Sequence, residues 1–477
     1  MTQLDCDILV IGSGPGGATT AALCAEAGHD VLIVEEGHNW TLDSAPSYTL
    51  AEMDQKYRNG GLNSAMGPTN VTYLEGRCVG GASEINAALY HRPLPETLRE
   101  WQVKYRIAEF GRDEIEPWFE ATERELHVST YPDGTGPVSE HFRASAKKLG
   151  WKVAEIARFW KYDGKGPGRR QSMSETLLPR AARAGARLVA DTKVERIVVR
   201  DGVAREAIAR DAEGKRVRVR FSKVFVCAGA VQTPALLRRS GIVANVGNSL
   251  RLHPMVRVVA RFPEPMNDPS WGVPVCQIEE FKPSLTLGCS HSSVPHLSLW
   301  LGDGVKDKAA RLAQWDRHAI FYVAAMGTGK GSVRNLPIVG EPLVRFTMTP
   351  QDQSMLCEGL WQLGKVLFAG GAEEIYQPVP GGPPIRSPKD LGFLRRGVPQ
   401  GRLNVSTIHL FSSCPMGEDG DVCAVDSHGR VHGLSNVWVN DASILPQSPG
   451  VNPQGTILAI ARRNVTRFLE GARRSAR

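Results

Sequence analysis

Several features that define other classes of protein are missing from this sequence. Its nine cysteines lie far apart and form no CxxC pair, so neither a zinc ribbon nor a disulfide framework is indicated. Free thiols in a reducing compartment are the simpler account. No apolar run approaches the roughly 18 residues that a membrane span needs, and a strand pattern over residues 5–11 leaves no room for a signal peptide. We therefore expect a cytoplasmic protein with no membrane span.

A strong excess of one charge is also missing. The formal net charge is +7, and basic residues occur in scattered pairs such as Arg169-Arg170 and Arg462-Arg463. A basic stripe with aromatic residues between the charges is not seen, so we expect a solvated surface and no nucleic-acid partner. The histidines lack the spacing of metal ligands, and we predict no metal site. With 42% hydrophobic residues, the chain has the composition of a folded globular protein, and its 477 residues are long enough for a large two-lobed enzyme.

The first forty residues carry the pattern of one βαβ unit. A buried strand at 8–11 leads into the turn Gly12-Ser13-Gly14-Pro15-Gly16-Gly17, a helix at 18–27 and a second strand at 31–34. The turn matches GxGxxG in the context that this motif requires. The glycines allow a tight turn, close approach of a pyrophosphate and close helix–strand packing. We predict that a dinucleotide is bound by Gly12, Gly14, Pro15, Gly16 and Gly17.

Glu35 identifies which dinucleotide is favoured. It ends the second strand, where a carboxylate accepts hydrogen bonds from the adenosine ribose hydroxyls and disfavours the 2′-phosphate of NADP. Only one complete fingerprint is present, whereas an enzyme that uses NAD against a bound flavin would usually need a second such unit. We therefore favour FAD. A glycine turn that binds no nucleotide is the structural alternative.

The rest of the chain predicts a second lobe. Residues 46–70 read as an irregular loop, 95–150 as helices, and 188–199, 203–211 and 215–220 as alternating strands. From about 256 to 400 the composition indicates a separate sheet that covers a ligand. The predicted fold class is α/β, with a Rossmann-like FAD-binding domain and a substrate-binding α+β domain built on an antiparallel sheet. We assign 1–45, 71–93, 176–255 and 401–477 to the discontinuous FAD-binding domain, and 46–70, 94–175 and 256–400 to the substrate-binding domain and cap.

Several separated segments carry more specific patterns. They are Arg77-Cys78-Val79-Gly80-Gly81-Ala82-Ser83-Glu84-Ile85-Asn86-Ala87, Cys227-Ala228-Gly229-Ala230-Val231-Gln232-Thr233-Pro234, Leu252-His253-Pro254, the run from His409 to Gly417, Val439-Asn440-Asp441-Ala442-Ser443, and Val451-Asn452-Pro453-Gln454-Gly455-Thr456. In this order they resemble the glucose-methanol-choline (GMC) family of flavoenzymes. The blocks span residues 8 to about 465, and the stretch 256–400 carries no comparably specific match.

The resemblance implies an enzyme that oxidises an alcohol with FAD. It places His409 as the catalytic base and Asn452 beside it. It also implies cofactor contacts at Glu36, Arg77, Gly81, Ala82, Asn86, Ala87, Leu89, Val194, Ala228, Gly229, Asp441, Ala442, Pro453 and Gln454.

Two departures from the family pattern carry expectations of their own. The family usually has Gly-Thr where this chain has Ser412-Ser413, so the turn after His409 is expected to differ in shape. Some members attach FAD covalently through a histidine that directly precedes the asparagine matching Asn86. That position is Ile85 here, so the resemblance implies non-covalent FAD.

The chemistry explains why these residue types are suited to the site. Alcohol oxidation needs a base for the hydroxyl proton, and an imidazole has its pKa near operating pH. Asn452 would hold the substrate oxygen as negative charge develops. The structural alternatives are a core histidine for His409 and a helix N-cap for Asn452. We expect His253, His428 and His432 to serve structure, and His291, His296 and His318 to line the substrate pocket.

The predicted partners are a small-molecule alcohol and either dioxygen or another electron acceptor. A lyase resembling the hydroxynitrile lyases of this fold is one alternative, and a non-catalytic flavoprotein is another. The sequence leaves open the identity of the alcohol, and it leaves open the choice between oxidase and dehydrogenase, because dioxygen access depends on pocket shape.

Overall fold

Two large sheets organise the chain in the computed structural model, which describes residues 2–163, 168–302, 305–337 and 340–475. The few remaining positions of the predicted domain segments lie outside this description. The strands are β1 (Thr2–Ile11), β2 (Val31–Val34), β3 (Asn63–Ala65), β4 (Val71–Tyr73), β5 (Val128–Ser129), β6 (Val153–Glu155), β7 (Arg158–Lys161), β8 (Arg169–Arg170), β9 (Arg187–Val189), β10 (Thr192–Arg200), β11 (Val203–Asp211), β12 (Arg216–Val226), β13 (Arg251–Leu252), β14 (Met255–Arg261), β15 (Cys276–Ile278), β16 (Leu285–Ser290), β17 (His318–Ala325), β18 (Lys330–Arg334), β19 (Leu343–Thr347), β20 (Glu374–Tyr376), β21 (Val405–Thr407), β22 (Leu410–Phe411) and β23 (Val437–Val439).

Helices cover the two sheets and join them. They are α1 (Pro15–Glu26), α2 (Leu50–Lys56), α3 (Pro95–Tyr105), α4 (Arg112–Glu125), α5 (Pro137–Lys148), α6 (Leu177–Arg183), α7 (Gly229–Arg239), α8 (Val294–Trp300), α9 (Lys308–Leu312), α10 (Pro350–Ala369), α11 (Gly392–Arg395) and α12 (Gln454–Ser475), with short 3₁₀ turns between them. Within the described ranges, none of these helices combines the length and the apolar character needed to cross a membrane.

The first sheet is Rossmann-like. Its strand order is β10-β11-β12-β1-β2-β9, and β23 also pairs with β12. The pairs β12–β1, β1–β2, β2–β9 and β12–β23 are parallel, whereas β10–β11 and β11–β12 are antiparallel. Strand β1 is central because Ile8–Ile11 are apolar on both faces and fully enclosed, as a strand covered on both sides must be. The carboxyl ends of β1, β2 and β12 therefore open on one edge of the sheet.

The second sheet is mainly antiparallel, with the order β3-β4-β21-β14-β17-β16-β15-β6 and β20 on β14. Its inner face packs on α10, whose Gly359 lies against Val323 so closely that a Cβ would sit 2.3 Å from Val323 Cγ1. The α/β class with an antiparallel second sheet is confirmed. Two segments that we gave to the FAD-binding domain, around β4 and β21, contribute strands to this second sheet. The division into domain segments stays a prediction.

Three local expectations were wrong in detail. The predicted strand 188–199 is two strands, because β9 pairs with β2 and β10 pairs with β11, and Asp191 turns the chain with a positive φ of 52°. The predicted loop 46–70 contains α2, whose first turn is capped by the Thr49 hydroxyl accepting from Glu52 N–H. The strand predicted at 215–220 continues through Val226.

Candidate active site

A long cavity lies at the carboxyl edge of the first sheet and extends to Leu74 and Ile408, the residues that follow β4 and β21 of the second sheet. It encloses about 1540 Å³ of empty space including its opening to solvent. The predicted residues that line it are Gly12, Gly14, Pro15, Gly16, Glu35, Glu36, Gly81, Ala82, Asn86, Ala87, Leu89, Val194, Ala228, Gly229, His409, Asp441, Ala442, Asn452, Pro453 and Gln454. Gly17 and Arg77 lie outside the lining.

The glycine turn at the start of α1 leaves room for a phosphate. Gly12 has φ +98°, and a Cβ there would sit 2.4 Å from Cys227 O. A Cβ on Gly17 would sit 2.0 Å from Gly12 O, so Gly17 serves helix–strand packing rather than contact with a ligand. Around Gly14 the space is open, since none of the described atoms lies within 4 Å of a Cβ placed there. This cradle at a helix N-terminus fits the pyrophosphate of FAD.

Glu35 is held inside this cradle. Its carboxylate is buried, and it accepts hydrogen bonds from Ser13 N–H at 2.9 Å, Ser13 Oγ–H at 2.7 Å and Gly37 N–H at 2.8 Å. Burial raises the pKa of Glu35, against the lowering effect of these bonds. The carboxylate therefore fixes the turn as well as lining the expected ribose site.

A charged cluster surrounds the far end of the cavity, where the adenosine of FAD would lie. Arg58 Nη2 pairs with Glu36 Oε2 at 2.8 Å, and Lys193 Nζ lies 3.2 Å from Glu36 Oε1. Burial alone would raise the pKa of Glu36, but the hydrogen bond from Arg58 and the charges of Arg58, Lys193 and Arg77 lower it to about 2. Burial raises the pKa of Glu75 to about 7. No local sequence pattern predicted a role for Arg58, Glu75 or Lys193 at this site.

The middle of the cavity is shaped by two polar contacts. The buried Asp441 carboxylate accepts from Gly229 N–H at 2.8 Å and from the hydroxyls of Thr233 and Ser443. Its side chain therefore holds the loop before α7, and burial raises its pKa. Asn86 Nδ2 donates to Gln454 Oε1, and this bond connects the segment from Arg77 to Ala87 with the start of α12.

At the near end of the cavity, two histidines and a serine form one hydrogen-bonded row. His409 Nδ1 lies 3.0 Å from His253 Nδ1, and His253 Nε2 lies 2.5 Å from Ser448 Oγ. On the other side of the ring, His409 Nε2 lies 3.3 Å from Asn452 Nδ2. An amide nitrogen only donates, so His409 Nε2 is the acceptor and its proton is on Nδ1. His253 Nδ1 then accepts, and His253 Nε2–H donates to Ser448.

This assignment leaves a neutral His409 with its Nε2 lone pair directed towards Asn452. Burial, followed by the charges of His253, His91 and Arg257, lowers the pKa of His409 well below 6.5. Burial likewise lowers the pKa of His253 to about 3. A neutral imidazole is the form that accepts a proton. We expected His253 to serve structure, and its ring contacts the predicted base directly.

Asn452 is placed for contact with His409 rather than for capping. It lies two residues before Gln454, the first residue of α12, and its amide faces the imidazole. Within the described part of the chain, its side chain makes no hydrogen bond to the helix backbone. Both side chains line the cavity.

The turn after His409 has an unusual backbone. Ser412 has φ +66°, the left-handed region that glycine occupies without strain. Its carbonyl accepts from Ser249 Oγ at 2.6 Å, and Ser413 Oγ donates to Ala230 O at 2.6 Å. These bonds hold the turn against a conformational cost of roughly 1–2 kcal/mol for a non-glycine residue.

Comparison with known proteins places this chain in a family. Residues 53–255 and 337–461 match two family profiles described as GMC oxidoreductase, and residues 10–57 match one described as an NAD(P)-binding Rossmann-like domain. A protein named as an uncharacterized GMC-type oxidoreductase of Sinorhizobium fredii is 38% identical over 473 residues, covering 96% of this chain and 94% of that protein. The chain belongs to the GMC oxidoreductase family. It is an FAD-dependent oxidoreductase of the class that acts on CH–OH donors, as the resemblance implied.

More distant relatives carry functional names. A long-chain-alcohol oxidase of Arabidopsis thaliana is 28% identical over 497 residues, covering 96% of this chain and 68% of that protein. An oxygen-dependent choline dehydrogenase of Xanthomonas campestris is 24% identical and covers 98% of this chain and 96% of its own length. The crystal structure of pyridoxine 4-oxidase from Mesorbium loti superposes with a TM-score of 0.77 at 22% identity, covering 97% of this chain and 99% of that one. This structural likeness supports the fold.

Proposed function

We propose that this protein oxidises an alcohol to a carbonyl compound, with His409 as the base and Asn452 as the group that holds the substrate oxygen. The observation that carries the proposal is that His409 Nε2 lies 3.3 Å from Asn452 Nδ2, in the lining of the same cavity that the glycine turn of the predicted FAD site lines. The named relatives include oxidases and a dehydrogenase of alcohols, which agrees with this class of substrate.

His409 and Asn452 have different roles in this reaction. The hydroxyl proton passes to His409 Nε2, while Asn452 Nδ2–H donates to the substrate oxygen as it gains negative charge. When bound, FAD supplies the acceptor for the hydride that leaves the α-carbon, so the carbon loses two electrons and becomes a carbonyl. His253 Nδ1 accepts a hydrogen bond from His409 Nδ1–H and so keeps the imidazole ring of the base oriented.

Anaerobic mixing of the FAD-loaded protein with a panel of alcohols tests this function. We expect at least one alcohol to bleach the flavin absorbance and yield the matching aldehyde or ketone in equal amount. A lyase would keep the flavin oxidised while it converts its substrate, and a non-catalytic flavoprotein would show neither change. Repeating the active pairs with dioxygen and with an artificial acceptor then separates oxidase from dehydrogenase activity.

We further propose that FAD is bound without a covalent link. Ile85 stands where some relatives carry the linking histidine, and its side chain has no nucleophile. Cys227 lines the cavity, but burial raises the pKa of its thiol well above the usual value, so the reactive thiolate is disfavoured.

Acid or heat precipitation of the purified holoprotein measures the linkage. The yellow colour is expected in the supernatant, and its mass should equal that of unmodified FAD. Ile85→His is a matched variant, because it restores the linking residue type at the same position. Flavin that stays with the precipitated wild-type protein would contradict the proposal.

A further inference from the structure

One positive charge in the substrate-side sheet has no acidic partner. Arg257 lies on β14, and among the described residues no carboxylate comes within 4 Å of its nitrogen atoms. Its one hydrogen bond within that part of the chain runs from Nη1 to Ser406 Oγ. Burial lowers the pKa of Arg257 to about 10, so it remains charged at neutral pH. A buried charge without a counterion is costly, and its retention points to a partner that arrives with a ligand.

The surroundings place this charge beside the candidate base. Ser406, which accepts from Arg257, is three residues before His409, and the charge of Arg257 reaches far enough to lower the pKa of His409. It also contributes, after burial and His291, to lowering the pKa of His296 to about 4. The imidazoles of His409 and His296 are therefore neutral near pH 7, and the Arg257 guanidinium is a charged group that acts on both of them.

The guanidinium is oriented to present one edge. Its central carbon lies 4.8 Å from the centre of the Trp300 ring on α8, so the indole covers one face. Nη1 donates to Ser406 Oγ, which leaves Nε–H and Nη2–H along the other edge, and neither makes a hydrogen bond within the described part of the chain. Two parallel N–H donors on one edge match the two oxygens of a carboxylate.

The strands next to β14 carry uncharged polar groups close to Arg257. Tyr322 is the cross-strand partner of Arg257, and its hydroxyl accepts from Gln277 Nε2 at 2.7 Å. The Tyr322 ring reaches across β16 because residue 288 is glycine, where a Cβ would sit 2.6 Å from the phenol. Gln277 Oε1 in turn lies 3.0 Å from His91 Nε2. This row is neutral and hydrogen-bonded throughout, so it offers no internal partner for the charge.

We infer that the substrate of this enzyme is an alcohol that carries a carboxylate, and that the Nε–Nη2 edge of Arg257 binds this carboxylate while the hydroxyl lies at His409 and Asn452. The inference rests on the proposed function, since it adds the second end of the substrate to the same site. Arg257 is a specificity residue here, because it contacts the substrate away from the reacting carbon.

Matched alcohols test the charge directly. We would compare 4-(hydroxymethyl)benzoate with its methyl ester, and 6-hydroxyhexanoate with 1-hexanol, so that aromatic and chain-like shapes are both covered. The wild-type KM is expected to be about 10–150-fold lower for the acid of the preferred pair, the factor for hydrogen bonds to a charged group. Arg257→Gln should abolish this preference by raising the KM of the acid to that of its neutral partner. Arg261→Gln is the control, since Arg261 lies on the same strand and pairs with Glu373.

Binding without turnover separates this inference from the proposed function. 4-Methylbenzoate and hexanoate lack the hydroxyl, and titrating them into the oxidised holoprotein should shift the flavin absorbance with a Kd that Arg257→Gln raises by a similar factor. This arm reports on Arg257 even if no alcohol in the panel reduces the flavin, a result that would count against the proposed function alone. Equal loss of kcat for acid and neutral alcohols in Arg257→Gln would overturn the inference, because Arg257 would then act on the reaction at His409. A wild-type preference for the neutral alcohol would overturn it as well.

Discussion

Replacing His409 with alanine is expected to slow anaerobic flavin reduction by a good alcohol substrate about 10²–10⁴-fold, the usual contribution of a positioned base. The FAD content should stay that of the wild type, because the His409 ring bonds His253 and Asn452 rather than the phosphate cradle. Rapid mixing under anaerobic conditions measures the reductive step apart from reoxidation.

The matched control for this experiment is His432→Ala. His432 Nε2 lies 3.0 Å from Gly417 O, away from the cavity, so its loss should leave the rate of flavin reduction near that of the wild type. Asn452→Ala should reduce the rate less than His409→Ala, since a neutral hydrogen bond contributes less than proton removal. A near-normal rate in His409→Ala would mean that another group takes the proton.

The pH dependence of flavin reduction provides a second test of His409 as the base. Burial lowers the pKa of His409 well below 6.5, so its neutral form persists on the acid side of neutrality. The rate of flavin reduction should therefore stay level as the pH falls through 6.5, and it should decline only at lower pH, where His409 gains a proton. A decline centred on 6.5 would indicate a base with an ordinary, solvated imidazole.

The parts of this protein that could be predicted are those encoded within one short segment. The turn from Gly12 to Gly17 was predictable because strand, glycines and helix follow each other in the chain, and their spacing alone defines the phosphate cradle. The pairing of His409 with Asn452 could be predicted only through resemblance to a family. No local rule brings together two residues 43 positions apart, one between β21 and β22 and the other just before α12.

The parts that could not be predicted depend on contacts between distant segments. His253 is 156 residues away from His409, and nothing in Leu252-His253-Pro254 shows that its ring bonds the base. The ion pair between Arg58 and Glu36 depends on how the chain between them folds, which the local pattern of apolar residues does not predict. Arg257 had a signal in retrospect, since it interrupts the otherwise apolar run Met255–Ala260 of a strand. An isolated charge in such a strand must find a partner or a ligand.

Replacing each of two glycines in the phosphate turn by alanine is expected to change a different property, stability for Gly16 and FAD affinity for Gly14. A Cβ on Gly16 would sit 1.7 Å from Asn440 O and 3.2 Å from Asp441 Cα, both backbone atoms that no side-chain rotation can move. The Asn440 side chain also donates to Thr20 Oγ1 of α1 at 2.9 Å, so a shift that separates α1 from Asn440 would weaken this bond as well. Gly16→Ala should lower the free energy of unfolding of the apoprotein by at least about 3 kcal/mol, the upper part of the range for overpacked cores.

Gly14→Ala provides the matched comparison within the same turn. Gly14 has an ordinary backbone conformation, φ −64° and ψ −173°, and none of the described atoms lies within 4 Å of the added Cβ. The stability of its apoprotein should change by less than about 0.5 kcal/mol. The methyl group would instead occupy the space that the pyrophosphate of FAD approaches, and FAD affinity should fall by about 1–3 kcal/mol. Denaturant unfolding of the apoproteins and titration with FAD, followed by flavin fluorescence, separate the two effects. Unchanged FAD affinity in Gly14→Ala would mean that the cofactor phosphates lie away from this turn, and equal unfolding midpoints for Gly16→Ala and wild type would contradict the close packing of α1 on Asn440.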